Sequence, residues 1–314
     1  MNKLSGLESS IALVTGATGF VGSHLVDQLN RKGFQVHAVI RQSSDTTQLQ
    51  RLPNKSIIHE HDGTANKLLD IMRRVQPRFI FHVASEVIIE HQLNDLDALI
   101  QSNIKFGTQL LEAFSIIGGD CFINTGSYWQ HSDSSDYNPV NLYAATKQAF
   151  EDILCFYTEC RSIRAVTLKL FDVYGPCDPR KKLFTLLDEA FRSGKTLDMT
   201  KGEQKLDFVF IEDVVRAYCR AAELLSSNDP QLIERSYTVS SNHPMSLRDI
   251  VETYQRVTGR TLSIHWGKLP YRPRQVMMPW SGKNLPGWKA ETNLESGIRK
   301  MLSQSPICVA SEGT

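Results

Sequence analysis

Between residues 11 and 170 the chain alternates short apolar runs with longer stretches in which apolar residues recur every three or four positions. The runs IALVT at 11–15, QVHAVI at 35–40, SIIH at 56–59, FIFHV at 79–83, CFIN at 121–124 and AVTLKL at 165–170 read as strands. Most are short and apolar on both faces, as strands of a buried parallel sheet are. Helical spacing marks 20–32 (Phe20, Val21, Leu25, Leu29), Lys67–Val75, Leu96–Phe114 and Leu142–Cys160 between them. This alternation predicts an α/β fold, a doubly wound parallel sheet with helices on both faces.

Past residue 171 the periodicity is broken by Pro176, Pro179, Pro230, Pro244, Pro270, Pro273, Pro279 and Pro286. Short strands are expected at Phe208–Ile211 and Tyr237–Val239. Helices are expected at Leu183–Ser193, Ile211–Leu225, Leu247–Thr258 and Leu294–Leu302. The expected organisation is a first domain over 1–170 that also receives the strands near 208–211 and 237–239. A smaller interleaved cap follows, mostly over 171–305, then a mobile tail at 306–314.

The 314 residues are 41% hydrophobic and 22% charged, enough apolar matter for a sizeable core. Lys and Arg total 35 against 34 Asp and Glu, a balance unlike that of a nucleic-acid binder. No apolar run approaches the length of a membrane span, and the N-terminal MNKLSGLESS lacks the apolar core of a secretion signal. A cytoplasmic protein is expected. The cysteines at 121, 155, 160, 177, 219 and 308 form no Cys-x-x-Cys pair and read as small buried hydrophobes.

Residues 16–22 read Gly-Ala-Thr-Gly-Phe-Val-Gly, between a strand and a helix. Gly16 permits a tight turn, Gly19 lets a pyrophosphate approach the backbone, and Gly22 lets the helix pack on the strand. Thr18, Phe20 and Val21 belong to the same loop, whose helix N-terminus favours an anion. Dinucleotide binding follows, on a Rossmann-type sheet. NAD enzymes usually carry an acid at the end of the second strand. This chain has Arg41-Gln42-Ser43-Ser44 there, and Arg41 with Ser44 suits the 2′-phosphate of NADPH. NAD is the less favoured cofactor. His59-Glu60-His61-Asp62-Gly63 offers no third metal ligand; Asp62 and Gly63 are expected at the adenine instead.

Tyr143 and Lys147 stand at i and i+4 near the start of a helix, on one face. An adjacent ammonium would favour the phenolate and suit the tyrosine to proton transfer. The strand before that helix runs into Thr125-Gly126-Ser127-Tyr128-Trp129-Gln130, where a hydroxyl can bond a substrate oxygen.

These features together resemble the extended short-chain dehydrogenase/reductases of the nucleotide-sugar epimerase/dehydratase type, from about residue 10 to 302. Phe81-His82-Val83-Ala84-Ser85 resembles the family's fourth-strand segment, which implies cofactor contacts for Val83, Ala84 and Ser85. Asn103 matches an asparagine that breaks a helix and serves a proton relay. Leu170–Pro176 and Asp207–Val214 match two further landmarks. The resemblance implies Tyr143 and Lys147 as catalytic and cofactor-binding residues. It makes Thr125 the active hydroxyl, with Ser127 the alternative if the loop shifts.

The departures matter. The acidic pair of 4,6-dehydratases is Gly126-Ser127 here, Asp172 replaces the usual asparagine, and an expected arginine is Leu206, with Lys205 one step earlier. Arg272 resembles the remaining phosphate-binding arginine. Residues 125–131 and 138–147 look most like CDP-4-keto-3,6-dideoxyhexose reductases of the abequose- and paratose-synthase kind. The resemblance thus implies NADPH-dependent reduction of the C4 ketone of a nucleotide-activated, CDP-linked deoxysugar, as in O-antigen-type biosynthesis. Asp172, Lys205 and Arg272 would bind that sugar nucleotide together with Thr125 and Tyr143. A 4-epimerase with retained NAD uses the same catalytic residues, and a non-catalytic NADPH sensor is the other alternative. Surplus apolar residues on the helices at 96–114 and 142–160 (Leu99, Ile104, Phe106, Leu110; Phe150, Ile153, Leu154, Phe156, Tyr157) point to a homodimer.

Overall fold

The first 170 residues fold as their alternating pattern dictates. In the computed structural model, which describes residues 7–134 and 136–304, the elements begin β1 (Ile11–Thr15), α1 (Phe20–Arg31), β2 (Gln35–Arg41), α2 (Thr47–Gln50), β3 (Ile57–His61), α3 (Ala65–Val75) and β4 (Phe79–His82). Then come α4 (Leu96–Ile100), α5 (Phe106–Ile116), β5 (Cys121–Ser127), α6 (Leu142–Cys160) and β6 (Arg164–Leu170). The second part contains β7 (Asp172–Tyr174), α7 (Leu183–Ser193), β8 (Leu197–Met199), β9 (Lys205–Leu206), β10 (Phe208–Phe210) and α8 (Ile211–Ser226). It ends with β11 (Ser236–Val239), β12 (Met245–Ser246), α9 (Leu247–Thr258), β13 (Ile264–Trp266) and α10 (Leu294–Gln304). The tail expected at 306–314 lies outside the described residues. No helix among them is long and apolar enough to cross a membrane.

Seven strands form one sheet in the order β11-β6-β5-β4-β1-β2-β3. Every pairing in it is parallel. One face is packed by α1 and α8, where Leu25, Leu29, Val214 and Tyr218 join a single apolar cluster. The other is packed by α3, α5 and α6 through Leu68, Ile71, Leu110, Phe114, Phe150 and Leu154. Strand order reverses at β1, between β2 and β4, so a crevice opens at the carboxyl ends of those strands, where ligands bind in such sheets.

The strand expected near 208–211 does not join this sheet. β10 pairs with β7 in parallel register, Phe208 opposite Asp172 and Phe210 opposite Tyr174. The free edge of β6 is already taken by β11, with Val239 opposite Leu170. A single residue, Phe171, separates β6 from β7, so the chain leaves the sheet there and carries its own pairing partner outward.

The helix expected over 96–114 is interrupted by one wide turn at Gln101–Lys105. Its apolar surplus is largely absorbed within the chain. Leu99, Leu110 and Phe150 are fully buried, Leu154 and Tyr157 nearly so, while Ile100, Ile116 and Phe156 remain exposed. Of the cysteines, Cys121 and Cys219 are buried, but Cys155 is half-buried and Cys160 exposed.

Candidate active site

A cleft of about 960 Å³ runs over the carboxyl ends of β1, β2, β4 and β5. At its centre is the turn after β1. Gly16 has φ +67°, and a Cβ there would come within 2.6 Å of Ala84 N. A Cβ on Gly22 would lie 2.0 Å from Gly16 O, so α1 packs against the turn only without one. Gly19 caps α1 with no side-chain hydrogen bond, leaving the first N–H groups of the helix directed at the cleft. This is a cradle for a pyrophosphate.

The expected cofactor residues Gly16, Thr18, Gly19, Phe20, Val21, Gly22, Arg41, Ser44, Asp62, Gly63, Val83, Ala84 and Ser85 all line the cleft. Arg41 ends β2 and is exposed, with its N–H bonded to Ser44 Oγ at 3.1 Å. Gln42 and Ser43 line the same end, and none of the lining residues 41–44 that close β2 is a carboxylate. Asp62 is turned to its own loop, where it accepts from Thr64 N (2.9 Å) and Thr64 Oγ1 (2.7 Å).

At the other end lies Tyr143, 8% exposed, its ring edge-on to Trp129. Burial raises the pKa of the phenol, opposed by hydrogen bonding from Ser127 and Ser85 and by the charge of Arg180. The expectation that Lys147 makes it a ready phenolate is therefore corrected: with burial dominant, it is a neutral donor at neutral pH. Lys147 lies behind the cleft wall, 1% exposed, and its Nζ has no hydrogen-bond partner. Burial pushes its pKa down to about 8, opposed by Glu151. An unpartnered ammonium one helical turn after Tyr143 fits the ribose hydroxyls of a dinucleotide.

The two candidate hydroxyls separate clearly. Thr125 lines the cleft, but its Oγ1 donates to His82 O (2.7 Å) and lies 2.6 Å from Tyr218 Oη, so its proton is already engaged within the protein. Ser127 Oγ faces Tyr143 and accepts one bond from Trp129 N at 3.3 Å. The hydroxyl beside the tyrosine is that of Ser127, two residues after the position the resemblance implied.

Asn103 sits in the wide turn between α4 and α5. Its Oδ1 accepts from Ser85 Oγ (3.0 Å) and Glu86 N (2.7 Å), and its Nδ2 donates to Glu86 O and Thr146 Oγ1 (both 2.9 Å). With all four bonds used, its amide clamps the β4 loop to α6; it does not reach the cleft.

The anticipated substrate cations are elsewhere. Arg272 is half-exposed, does not line the cleft and pairs with Glu90 at 2.9 Å. Lys205 is exposed on β9. Besides Arg41, the Lys and Arg side chains lining the cleft are Arg180 and Lys182, which sequence reading missed. Arg180 is fixed by Asp178 (2.7 Å) and lies over the Phe20 ring at 4.6 Å. Asp172 does line the cleft; Tyr128 Oη donates to it at 3.0 Å, and burial raises its pKa. The signal for Arg180 and Lys182 was available as three basic residues at 180–182 just before α7.

CDP-abequose synthase of Salmonella typhimurium is 27% identical over 305 residues, covering 93% of this chain and 97% of its own length. UDP-glucuronate 4-epimerase 2 of Arabidopsis thaliana is 25% identical over 92% of this chain and 74% of its own. Among solved structures, a UDP-glucuronic acid 4-epimerase from Bacillus cereus superposes with a TM-score of 0.83 over 94% of this chain and 98% of that one, at 22% identity, which is a likeness of fold. The profile of one family matches residues 12–234. With that match spanning the cradle, Ser127, Tyr143 and Lys147, the chain belongs to the NAD dependent epimerase/dehydratase family.

Proposed function

We propose that the protein is an NADPH-dependent reductase of the C4 ketone of a nucleotide-activated, CDP-linked deoxyhexose. The observation that carries this reading is Arg41 at the end of β2, in a cleft whose other end is closed by the buried Tyr143. A reductase consumes a proton donor and exchanges its cofactor; a base-poised tyrosine and a tightly kept NAD would suit an epimerase better. The likeness to CDP-abequose synthases over nearly the whole chain supports the CDP-sugar class.

The chemistry supplied by the cofactor when bound is hydride delivery to C4. Ser127 orients the carbonyl oxygen, and Tyr143 gives it a proton. Lys147 holds the nicotinamide ribose and keeps positive charge near the phenolate left behind. Arg180 and Lys182 face the diphosphate of the substrate, while residues 171–305 cap it. The acidic pair of a dehydratase is replaced here by Gly126-Ser127; a Cβ on Gly126 would meet the side-chain ends of Thr167 (2.8 Å), Gln130 and Glu151 (both 2.9 Å), which would have to shift to admit one. A homodimer through α5 and α6 belongs to the same reading, resting on the exposed Ile116 and Phe156; a monomeric mass by light scattering removes it.

The test is incubation with NADPH and CDP-, dTDP-, GDP- and UDP-4-keto sugars, with product stereochemistry read by NMR. Turnover is expected with the CDP substrate, and NADPH is expected to outperform NADH. Arg41→Ala should lower NADPH affinity about 10- to 150-fold, the worth of a charge-assisted contact of about 1.5–3 kcal/mol. Equal kcat/KM for NADPH and NADH in the wild type contradicts the cofactor assignment. An epimerised product with protein-bound NAD contradicts the reductase.

Ser127 and Thr125 are separable by kinetics. Ser127→Ala should cost about tenfold or more in kcat, as loss of a donor to a developing oxyanion does. Thr125→Val should chiefly cost stability, about 1–3 kcal/mol from the unpaired His82 carbonyl and Tyr218 hydroxyl. If Thr125→Val alone lowers kcat, the two roles are exchanged.

A further inference from the structure

The inner face of α6 carries charge that neither cofactor nor substrate contact explains. Glu151 stands one helical turn after Lys147, and its side chain is 13% exposed. Its Oε1 accepts from Gln130 Nε2 at 2.8 Å, and its Oε2 lies 3.7 Å from Lys169 Nζ. Lys169, on β6, is also buried; its Nζ is 2.8 Å from His131 Nε2 and lies 5.7 Å from the centre of the Trp280 ring. His131 stacks on that ring at 4.0 Å and shields the far end. Neither Glu151 nor Lys169 is among the residues lining the cleft.

A buried ammonium is costly unless a group of opposite sign stands near it. The ionisable groups facing Lys147 are Glu151 on its own helix and His82 from β4, whose pKa burial pushes down to about 3, so it is neutral. Those facing Glu151 are Lys147 and Asp152 on α6 and Lys169 on β6, with the neutral Gln130 amide from the turn after β5. Glu151 is the negative group that acts on Lys147. Burial raises the pKa of Glu151, and Lys169, the Gln130 hydrogen bond and Lys147 oppose that rise; the two lysines and the carboxylate thus alternate across two elements, and Glu151 offsets the burial of Lys147.

We propose that Glu151 is a positioning residue, whose carboxylate, anchored by Gln130 and Lys169, supplies the counter-charge that keeps Lys147 an ammonium behind Tyr143. This rests on the reading of Lys147 as the ribose-binding partner of Tyr143. It does not depend on which sugar is reduced.

The experiment is the pH dependence of NADPH binding to the full-length protein between pH 7 and 10, followed by cofactor fluorescence. The wild type should lose affinity through one step near pH 8, and Lys147→Met should lack that step. Glu151→Gln keeps the shape and the acceptor for Gln130 but not the charge. It should move the step down by at least about one pH unit. Binding at pH 7.5 then weakens about threefold, the ratio of protonated fractions. Glu151→Asp, with the charge withdrawn by one carbon, should give a smaller shift in the same direction. A purely structural role would weaken binding equally at every pH. A step that stays at the wild-type pH in both Glu151 variants, or that survives Lys147→Met, overturns the proposal. If no keto sugar is turned over while the shift appears as described, the reductase reading fails and the role of Glu151 is supported.

Discussion

Replacing Tyr143 by phenylalanine should reduce turnover about 100- to 10,000-fold, the contribution of a placed general acid, with NADPH affinity within about threefold of wild type. The two effects separate because the ring and the hydroxyl do different work. The ring packs edge-on against Trp129 and closes the cleft wall; Phe keeps that contact. The hydroxyl points to Ser127 and Ser85, and only it carries the transferable proton. Because burial keeps the phenol neutral, the donor form is present throughout the physiological range. Turnover in the reductive direction should therefore not fall as pH drops from 8 to 6. Single-turnover mixing with NADPH and the keto substrate measures the proton-coupled step. A Phe variant retaining a tenth of wild-type activity would show that another group, with Ser127 the nearest, delivers the proton.

The strands and helices of the first 170 residues were legible because each carries one clear period and a clean end. Helix α6 runs from Leu142 to Cys160 as the pattern predicts, with Asn141 accepting from Ala144 N at 3.0 Å to fix its start. Helix α9 likewise begins after Ser246, which accepts from Asp249 N at 3.1 Å. Of the strands of two or three residues only β10 was legible, from the run at Phe208–Ile211, and its pairing with β7 was not. β8 and β13 exist because they pair with each other, Leu197 opposite Ile264, and no local periodicity announces a contact made 67 residues away. The β7–β10 pair is missed for the same reason. The wide turn at Gln101–Lys105 has no proline or glycine; only the resemblance pointed to Asn103 as a helix breaker, and the turn is held open by the four hydrogen bonds of Asn103 to other elements.

The site shows the same divide. The glycine cradle, Arg41, Tyr143 and Lys147 were legible because each depends on local spacing. The choice of Ser127 over Thr125 was not, because it turns on which hydroxyl His82 and Tyr218 consume, and Tyr218 comes from a helix 93 residues away. Glu151 four residues after Lys147 looks on paper like an exposed helix pair worth a few tenths of a kcal/mol. Its weight appears only once β6 brings Lys169 against it. Arg272 failed in the opposite way: its charge and its proline-rich setting suggested a phosphate ligand, and the fold gives it Glu90.

Lys147→Met should make the protein more stable and much less active. In the cofactor-free chain the Lys147 ammonium has no hydrogen-bond partner, and burial holds its pKa near 8 against an ordinary 10.5. At about 1.4 kcal/mol per pH unit, the charged form costs folding on the order of 3 kcal/mol. Methionine removes that cost, but it also takes a favourable charge away from Glu151. The net gain expected is about 1–3 kcal/mol, the relieved burial cost less what Glu151 loses, because Glu151 keeps Lys169 and Gln130 beside it. The sign fixes the pH window. Below pH 8 Lys147 is charged in both folded and unfolded chains, so the full penalty applies. As pH rises from 8 to 10.5 the unfolded state binds more protons than the folded one, and wild-type stability climbs. The advantage of the variant should thus be greatest at pH 7 and vanish by about pH 10.5. NADPH should reverse the order, since its ribose hydroxyls give the wild-type ammonium partners that methionine cannot offer. The variant is expected to bind NADPH about 10- to 150-fold more weakly, from loss of a charge-assisted contact, and to lose more in kcat/KM because Tyr143 is left without positive charge nearby. Calorimetry at pH 7 with and without NADPH tests both halves. A variant less stable than wild type in the absence of cofactor would mean that the ammonium is satisfied within the fold.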